Sequence, residues 1–275
     1  MGKPDDENKT MTHRLGRLVD DTNPFLYRDE RKESYIFYNL DGSGSNQNRP
    51  IDSSDVEDWL TGLLIDDEDM VPNSETILNV RRRLRAKAYA NTRIRGSVKL
   101  YNRIAPDGDG GLYLDMVDGF GSVIHVNENR WRMDKPEKPI FRNYNHQLPL
   151  PDPLKGGKVK EILAFVNIKD RYNQILYLSA LICCFIPKIE HPIFNVFGPY
   201  GSGKSSVLRV AKTFIDPSIT DLLILNKKDE KELIKNLDDS YCVFFDNISY
   251  LTQDISDLLC KSVTGAGFSV RRLWT

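Results

Sequence analysis

One stretch of this 275-residue chain constrains its fold more than any other: Gly198-Pro-Tyr-Gly-Ser-Gly-Lys-Ser-Ser206. It fits G-x-x-x-x-G-K-[ST], with Gly198, Gly203, Lys204 and Ser205 in the defining positions. The apolar Pro192-Ile-Phe-Asn-Val-Phe197 before it reads as a strand, and Val207, Leu208, Val210, Ala211 and Phe214 after it give one face of a helix. Strand, glycine loop and helix in that order make a phosphate cradle. Glycines let backbone N–H groups converge on a β-phosphate, the helix N-terminus contributes the positive end of its dipole, and a lysine neutralises β/γ oxygens. Gly198, Pro199, Tyr200, Gly201, Ser202, Gly203, Lys204, Ser205 and Ser206 are therefore expected to hold ATP, with the Ser205 hydroxyl on Mg²⁺.

Such a loop needs a second strand whose acid helps to hold the metal, and Tyr241-Cys-Val-Phe-Phe-Asp246 has that form. Asp246 is the expected metal acid, and Lys204, Asp246 and Asn247 are the expected catalytic set. Hydrolysing enzymes of this kind usually place Glu after the metal acid as base for the attacking water. Asn247 orients water without accepting a proton, so turnover is expected to be slow or to use another acid such as Asp254 or Asp257.

Composition narrows the rest. At 40% hydrophobic and 28% charged the chain is globular and long enough for two compact units. Its 38 basic and 39 acidic residues make no whole-chain case for a nucleic-acid or membrane partner, so any such case must be local. The apolar run Ile175 to Ile186 is too short for a membrane span, which needs about 20 residues, and the polar start carries no signal-peptide core. No membrane and a cytoplasmic location are expected. The cysteines form no C-x-x-C pair and the histidines lack metal-ligand spacing, so reduced, buried thiols are expected, with Cys183 and Cys184 in a buried helix.

The pattern along the chain predicts a flexible segment over 1–50, a small α+β domain over 51–134, a Pro-rich linker over 135–157 and an α/β domain over 158–275. Within the first 50 residues, Ser34 to Tyr38 could pair as a short strand. A helix capped at Asp52-Ser-Ser carries Val56, Trp59, Leu60, Leu63 and Leu64, and a second one from Asn73 carries Ile77, Leu78, Val80 and Leu84. Two hairpins follow, the first from Ser97 through the Pro106 to Gly111 turn to Met116, the second joining Val123–Val126 to Trp131–Met133. Residues 51–75 hold nine acids and no base, and residues 81–103 hold nine bases and no acid. Either the two helices neutralise each other, or Arg81, Arg82, Arg83, Arg85, Lys87, Arg93 and Arg95 face phosphates.

The loop, Phe244-Phe-Asp-Asn-Ile-Ser249 and above all Asp257-Leu-Leu-Cys-Lys-Ser-Val-Thr-Gly-Ala-Gly-Phe-Ser-Val-Arg-Arg-Leu-Trp-Thr275 together resemble the ATPase domains of phage- and mobile-element-type primase-helicases. Those domains are P-loop NTPases of the AAA+ class, related to superfamily 3 helicases. The resemblance covers about residues 190–275; shorter likenesses lie at Gly111 to Asp115 and Leu148 to Pro151. It implies an α/β P-loop NTPase domain whose C-terminal strand and helical lid would come after Thr275, preceded by the small α+β domain. It further implies an ATP-hydrolysing DNA motor of a replication protein that forms a homo-oligomer, a hexameric ring in such families. Lys261, Arg271 and Arg272 would contact single-stranded DNA or a neighbouring subunit. In Phe268 to Trp274, Arg272 shares a strand face with Trp274, which suits single-stranded DNA, and Arg271 takes the other face. Trp274 replaces the family's commoner Tyr. Two further readings remain open: a P-loop kinase or other phosphotransferase, and an ATP-binding switch whose N-terminal part forms a winged-helix-like DNA reader using Arg81 to Arg95. No primase metal site is visible in residues 1–150.

Overall fold

The computed structural model describes residues 4–39, 46–187, 189–226 and 229–263 of the chain. It is a mixed α/β structure with small sheets. In chain order the elements are α1 (Pro4–Asp21), β1 (Phe25–Arg28), β2 (Ser34–Asn39), β3 (Asn46–Pro50), α2 (Ser54–Glu68) and α3 (Ser74–Arg95). Then come β4 (Ile104–Pro106), β5 (Leu112–Asp115), β6 (Val123–Val126), β7 (Trp131–Asp134) and a 3-10 helix, Val159–Phe165. The last elements are α4 (Arg171–Cys184), α5 (Lys204–Ile215), β8 (Leu223–Ile224), α6 (Glu230–Asp239), β9 (Phe245–Asp246) and α7 (Gln253–Val263). Two compact units result, one of residues 1–101, 117–124 and 132–143, the other of residues 102–116, 125–131 and 144–275.

In the first unit β1, β2 and β3 form an antiparallel meander in sequence order, with Leu26 opposite Ile36 and Tyr27 opposite Tyr35. Because strand side chains alternate between faces, Leu26, Ile36 and Tyr38 join the core of α1, α2 and α3. Phe25, Tyr27, Tyr35 and Phe37 meet Val98 and Leu100 in a separate cluster. The expected flexible segment over 1–50 is thus corrected: Leu15, Val19, Leu26 and Ile36 are core residues. Met11, Leu15, Leu18 and Val19 recur at helical spacing, and burying that stripe offsets the ordering entropy that the polar composition argued against.

Both expected helices of residues 52–95 form. Ser53 and Asn73 cap them, each side-chain oxygen accepting the N–H three residues on, from Val56 and Thr76. Leu78 instead faces outward. The first hairpin is shifted: Val98 and Tyr101 make only single bridges, and β4 begins at Ile104, pairing with Leu114. Asp107 holds its turn by accepting from the N–H groups of Asp109 and Gly111. The strands β4 to β7 follow in sequence order in one sheet. Residues 135–157 are no free linker, since Phe141, Arg142 and Gln147 are buried and Arg142 donates to Asp29, Glu30 and the Leu100 carbonyl.

In the second unit α4 and α5 pack through Tyr177, Leu181, Val207, Ala211 and Ile215. Residues 159–165 form the 3-10 helix. The segment 192–197 is not a strand, although Phe194 and Val196 turn inward and Ile193 and Phe197 outward. It has the alternation of a strand but no hydrogen-bonded neighbour among the described residues. The α4 helix is not wholly buried: Tyr177 and Leu181 are its only buried residues. Accordingly Cys183, Cys184 and Cys242 are half-buried and Cys260 is exposed, rather than core thiols.

Candidate functional site

The glycine loop leads directly into α5. Gly203 takes φ +86° as the residue before that helix, and Gly201 takes φ +74°, two left-handed positions that suit residues without a Cβ. The cap has no side-chain acceptor, so no side chain at Gly203 occupies the first N–H groups of α5. The Lys204 ammonium folds back onto its own loop, donating to the carbonyls of Gly198 at 3.1 Å and Pro199 at 2.9 Å. The Ser202 N–H donates to the Pro199 carbonyl at 3.3 Å, which closes the turn. Tyr200 is fully exposed at the loop tip and Ser206 is exposed in the first turn of α5.

The second part of the site arrives on β9. This strand runs parallel to β8, with Leu223 opposite Phe245 and Ile224 opposite Asp246. Its last residue meets the head of α5: the Ser205 hydroxyl donates to Asp246 Oδ2 at 2.7 Å, across 41 residues of sequence. The other carboxylate oxygen, Oδ1, accepts the N–H of Asn247 at 2.9 Å. Asn247 has φ +57°, a left-handed conformation that Asn tolerates better than Glu. The carboxylate is therefore aimed through both of its oxygens.

Of the expected residues, Lys204, Ser205, Asp246 and Asn247 thus come together around the loop. Asp254 and Asp257 are exposed on α7, where Asp257 accepts from Gln253 of its own helix at 2.8 Å; neither has a hydrogen bond to Ser205 or Asp246. Lys261 is exposed in the last turn of α7. Arg271 and Arg272 lie outside the described residues, as does the hairpin expected over Phe268 to Trp274. The described residues contain no group of three or more His, Cys, Asp or Glu able to hold a metal by themselves.

Sequence reasoning missed the residues that hold this arrangement from behind. Asp216, at the end of α5, is buried, with Oδ2 accepting from the N–H groups of Tyr241 and Cys242, both at 3.1 Å. Lys212 donates to that same oxygen and to the Cys242 carbonyl, each at 2.8 Å. Arg103, wholly buried, donates to Asp216 Oδ1 at 3.0 Å and to the carbonyls of Asp115, Leu148 and Pro217. The helix that starts at Lys204 is thereby pinned at its far end to the segment that delivers Asp246. Burial would raise the Asp216 pKa, but Lys212 and Arg103 outweigh it and hold the carboxyl below its ordinary value. Nothing local marks Asp216 as special, because its partners lie as far as 113 residues away. Asn167 was also missed; it donates to the Ser202 carbonyl at 3.3 Å and braces the loop from outside.

Residues 159–275 match the family model of the actinomycete integrative conjugative element replication protein. The match begins with the 3-10 helix and contains the glycine loop, Asp246 and α7. It makes this part of the chain similar to a replication protein of a mobile genetic element. No curated protein matches the chain. No described helix is long and apolar enough to cross a membrane.

Proposed function

We propose that residues 158–275 form a P-loop NTPase domain that binds and hydrolyses ATP with Mg²⁺ as the motor of a mobile-element DNA replication protein. The observation that carries this reading is the 2.7 Å hydrogen bond from Ser205 to Asp246. A hydroxyl at the head of a helix and a carboxylate at the end of a parallel strand converge beside a glycine loop, and hard oxygen donors of this kind suit Mg²⁺. When bound, the cation would neutralise phosphate charge that develops as the terminal phosphoryl group leaves. Ser205 and Asp246 are the residues that would hold it, Asp246 directly or through water. Lys204 would exchange its two carbonyl acceptors for phosphate oxygens, a charge-assisted and stronger pairing. The first-turn N–H groups of α5 would meet the same phosphates, and Asn247 would orient a water. Single-stranded DNA and further copies of the chain are the partners this reading expects, with Lys261, Arg271 and Arg272 as contacts.

The test is nucleotide binding followed by turnover. Lys204→Ala should weaken binding of a fluorescent ATP analogue substantially, and equal binding by the variant and the wild type would overturn the assignment. Asp246→Asn should abolish Mg²⁺-dependent turnover while the protein stays folded. The switch reading draws on one observation, Asn247 in place of a base and set in a left-handed conformation. ATP binding without turnover, with or without single-stranded DNA, would favour the switch over the motor.

A further inference from the structure

The basic helix α3 uses its cations in two ways. On one flank Arg81 pairs with Glu57 and Arg85 with Asp52, and on the opposite flank Arg83 and Lys87 both pair with Asp20. The acidic segment therefore neutralises Arg81 and Arg85 as one reading expected, and α1 neutralises Arg83 and Lys87. Arg82, Arg93 and Arg95 are exposed and have no carboxylate partner among the described residues; Arg82 reaches only Asn79 Oδ1, at 3.5 Å. At about 100° per residue, Arg82, Ala86, Tyr89 and Arg93 fall within an arc of about 60° on the helix surface. The stripe has an aromatic ring at its centre.

That ring is built into a larger surface. Tyr89 is 49% exposed, with the Arg28 guanidinium over it at 4.9 Å and that of Arg93 at 5.9 Å. Arg28 comes from the end of β1, which is fixed to α3 by two bonds: its N–H donates to Thr92 Oγ1 at 2.8 Å, and Asn91 donates to the Leu26 carbonyl at 3.0 Å. Its carbonyl accepts from Val98 at 3.0 Å, which brings the next residue, Lys99, alongside; the Lys99 ammonium lies 5.1 Å from the centre of the Tyr101 ring. The nearby acids are used elsewhere, Asp29 and Glu30 both accepting from Arg142.

We infer that the surface formed by Arg28, Arg82, Tyr89, Arg93, Lys99 and Tyr101 binds single-stranded nucleic acid. The inference rests on the replication reading for its partner and deepens it by placing a contact in the N-terminal unit. Guanidinium groups without carboxylates, held beside half-exposed rings, suit a chain of phosphates with unstacked bases, because any base offers a face to Tyr89 while the arginines hold the backbone. A duplex keeps its bases stacked and would leave the ring unused.

The experiment is fluorescence anisotropy of the full chain with fluorescein-labelled oligo(dT) over a salt series, without nucleotide. Arg28→Ala combined with Arg93→Ala should make the slope of log K against log salt shallower by about 1.4, that is about 0.7 for each lost phosphate contact. Tyr89→Ala should weaken binding between about fivefold and about a hundredfold, and Tyr89→Phe should restore it, since stacking needs the ring and not the hydroxyl. Arg85→Ala should leave the slope unchanged, its charge being matched by Asp52. Lys204→Ala should bind oligo(dT) as the wild type does, so failure of the nucleotide reading would leave this result standing. Wild-type slope and affinity in both the arginine pair and Tyr89→Ala variants, with circular dichroism unchanged, would overturn the inference. So would tighter binding of duplex DNA with no effect of Tyr89→Ala.

Discussion

The first unit buries Leu15, Ile36, Val56, Leu60, Leu64 and Val80 completely among three helices and one face of its meander. In the second unit α4 buries Tyr177 and Leu181 while Tyr172, Ile175 and Leu176 stay more than half exposed, and Phe197 before the glycine loop is 88% exposed. The difference follows from how the strands find partners. Three antiparallel strands joined by short connections satisfy one another locally, and side chains on both faces meet a cluster. The parallel pair β8 and β9 is two residues long, and parallel sheets need cover on both faces. Beside its apolar clusters around Val207 and around Leu233, a polar clamp of Arg103, Lys212 and Asp216 holds the second unit's site.

The largest test of that contrast removes the clamp. Asp216→Ala leaves Arg103 and Lys212 buried without their carboxylate and should cost about 3–5 kcal/mol, with loss of hydrogen-exchange protection at Tyr241 and Cys242 and little change around Leu60. A loss below about 1 kcal/mol would show that the apolar contacts of α4 and α5 hold the unit unaided. Truncation should separate the units next. Leu60→Ala, deep in the first core, should cost about 2–5 kcal/mol in urea unfolding, whereas Ile175→Ala on the exposed side of α4 should stay within about 0.5 kcal/mol. A large penalty at Ile175 would mean that this side of α4 is covered in solution.

Acid should sharpen the comparison further. The Asp216 pKa is lower in the folded state than in the unfolded chain, so its contribution is present above the unfolded value, about 3.9, and is lost as pH falls through the lower folded value. The stability of the second unit should therefore decline below about pH 4, and Asp216→Asn should flatten that decline while lowering stability at neutral pH. An acid limb unchanged in the Asn variant would assign the effect to another carboxylate of the same unit, such as Asp107, which its hydrogen bond with His125 holds below the ordinary value. A smaller effect than at Asp216 or Leu60 is expected at the loop. Gly203→Ala places a Cβ at φ +86°, with only ordinary contact to Asn167 at 3.7 Å, so backbone strain of about 1–2 kcal/mol should dominate. Unchanged stability and nucleotide binding in this variant would show that the loop relaxes freely.

The candidate site was legible to the extent that it is written in short motifs. Gly198 to Ser205 and the apolar run ending in Asp246 could be matched to each other because each carries its own local requirement, glycines for positive φ in one and a short apolar strand in the other. The N-terminal fold was less legible because its strands are polar at their ends: Asn46-Gln-Asn-Arg-Pro50 reads as part of a flexible segment, yet it pairs with β2, and Asn48 is buried between the Tyr27 hydroxyl and the Phe141 carbonyl. The charge runs of residues 51–103 were visible, but their use was not. Which arginines meet acids depends on α1, whose Asp20 takes both Arg83 and Lys87.

By itself the sequence determined the helices of residues 54–95, their caps, the turn at Asp107 and the glycine loop that leads into α5, since each is settled by side chains within a few positions of one another. Only the tertiary structure decided that Leu15, Val19, Leu26, Ile36 and Tyr38 are part of a core and that Asp216 and Arg103 meet. It alone also divided the basic helix between ion pairs and an open arginine–tyrosine surface. Those outcomes depend on contacts between residues up to 113 positions apart, where composition and periodicity carry no information about which buried charge will find which partner.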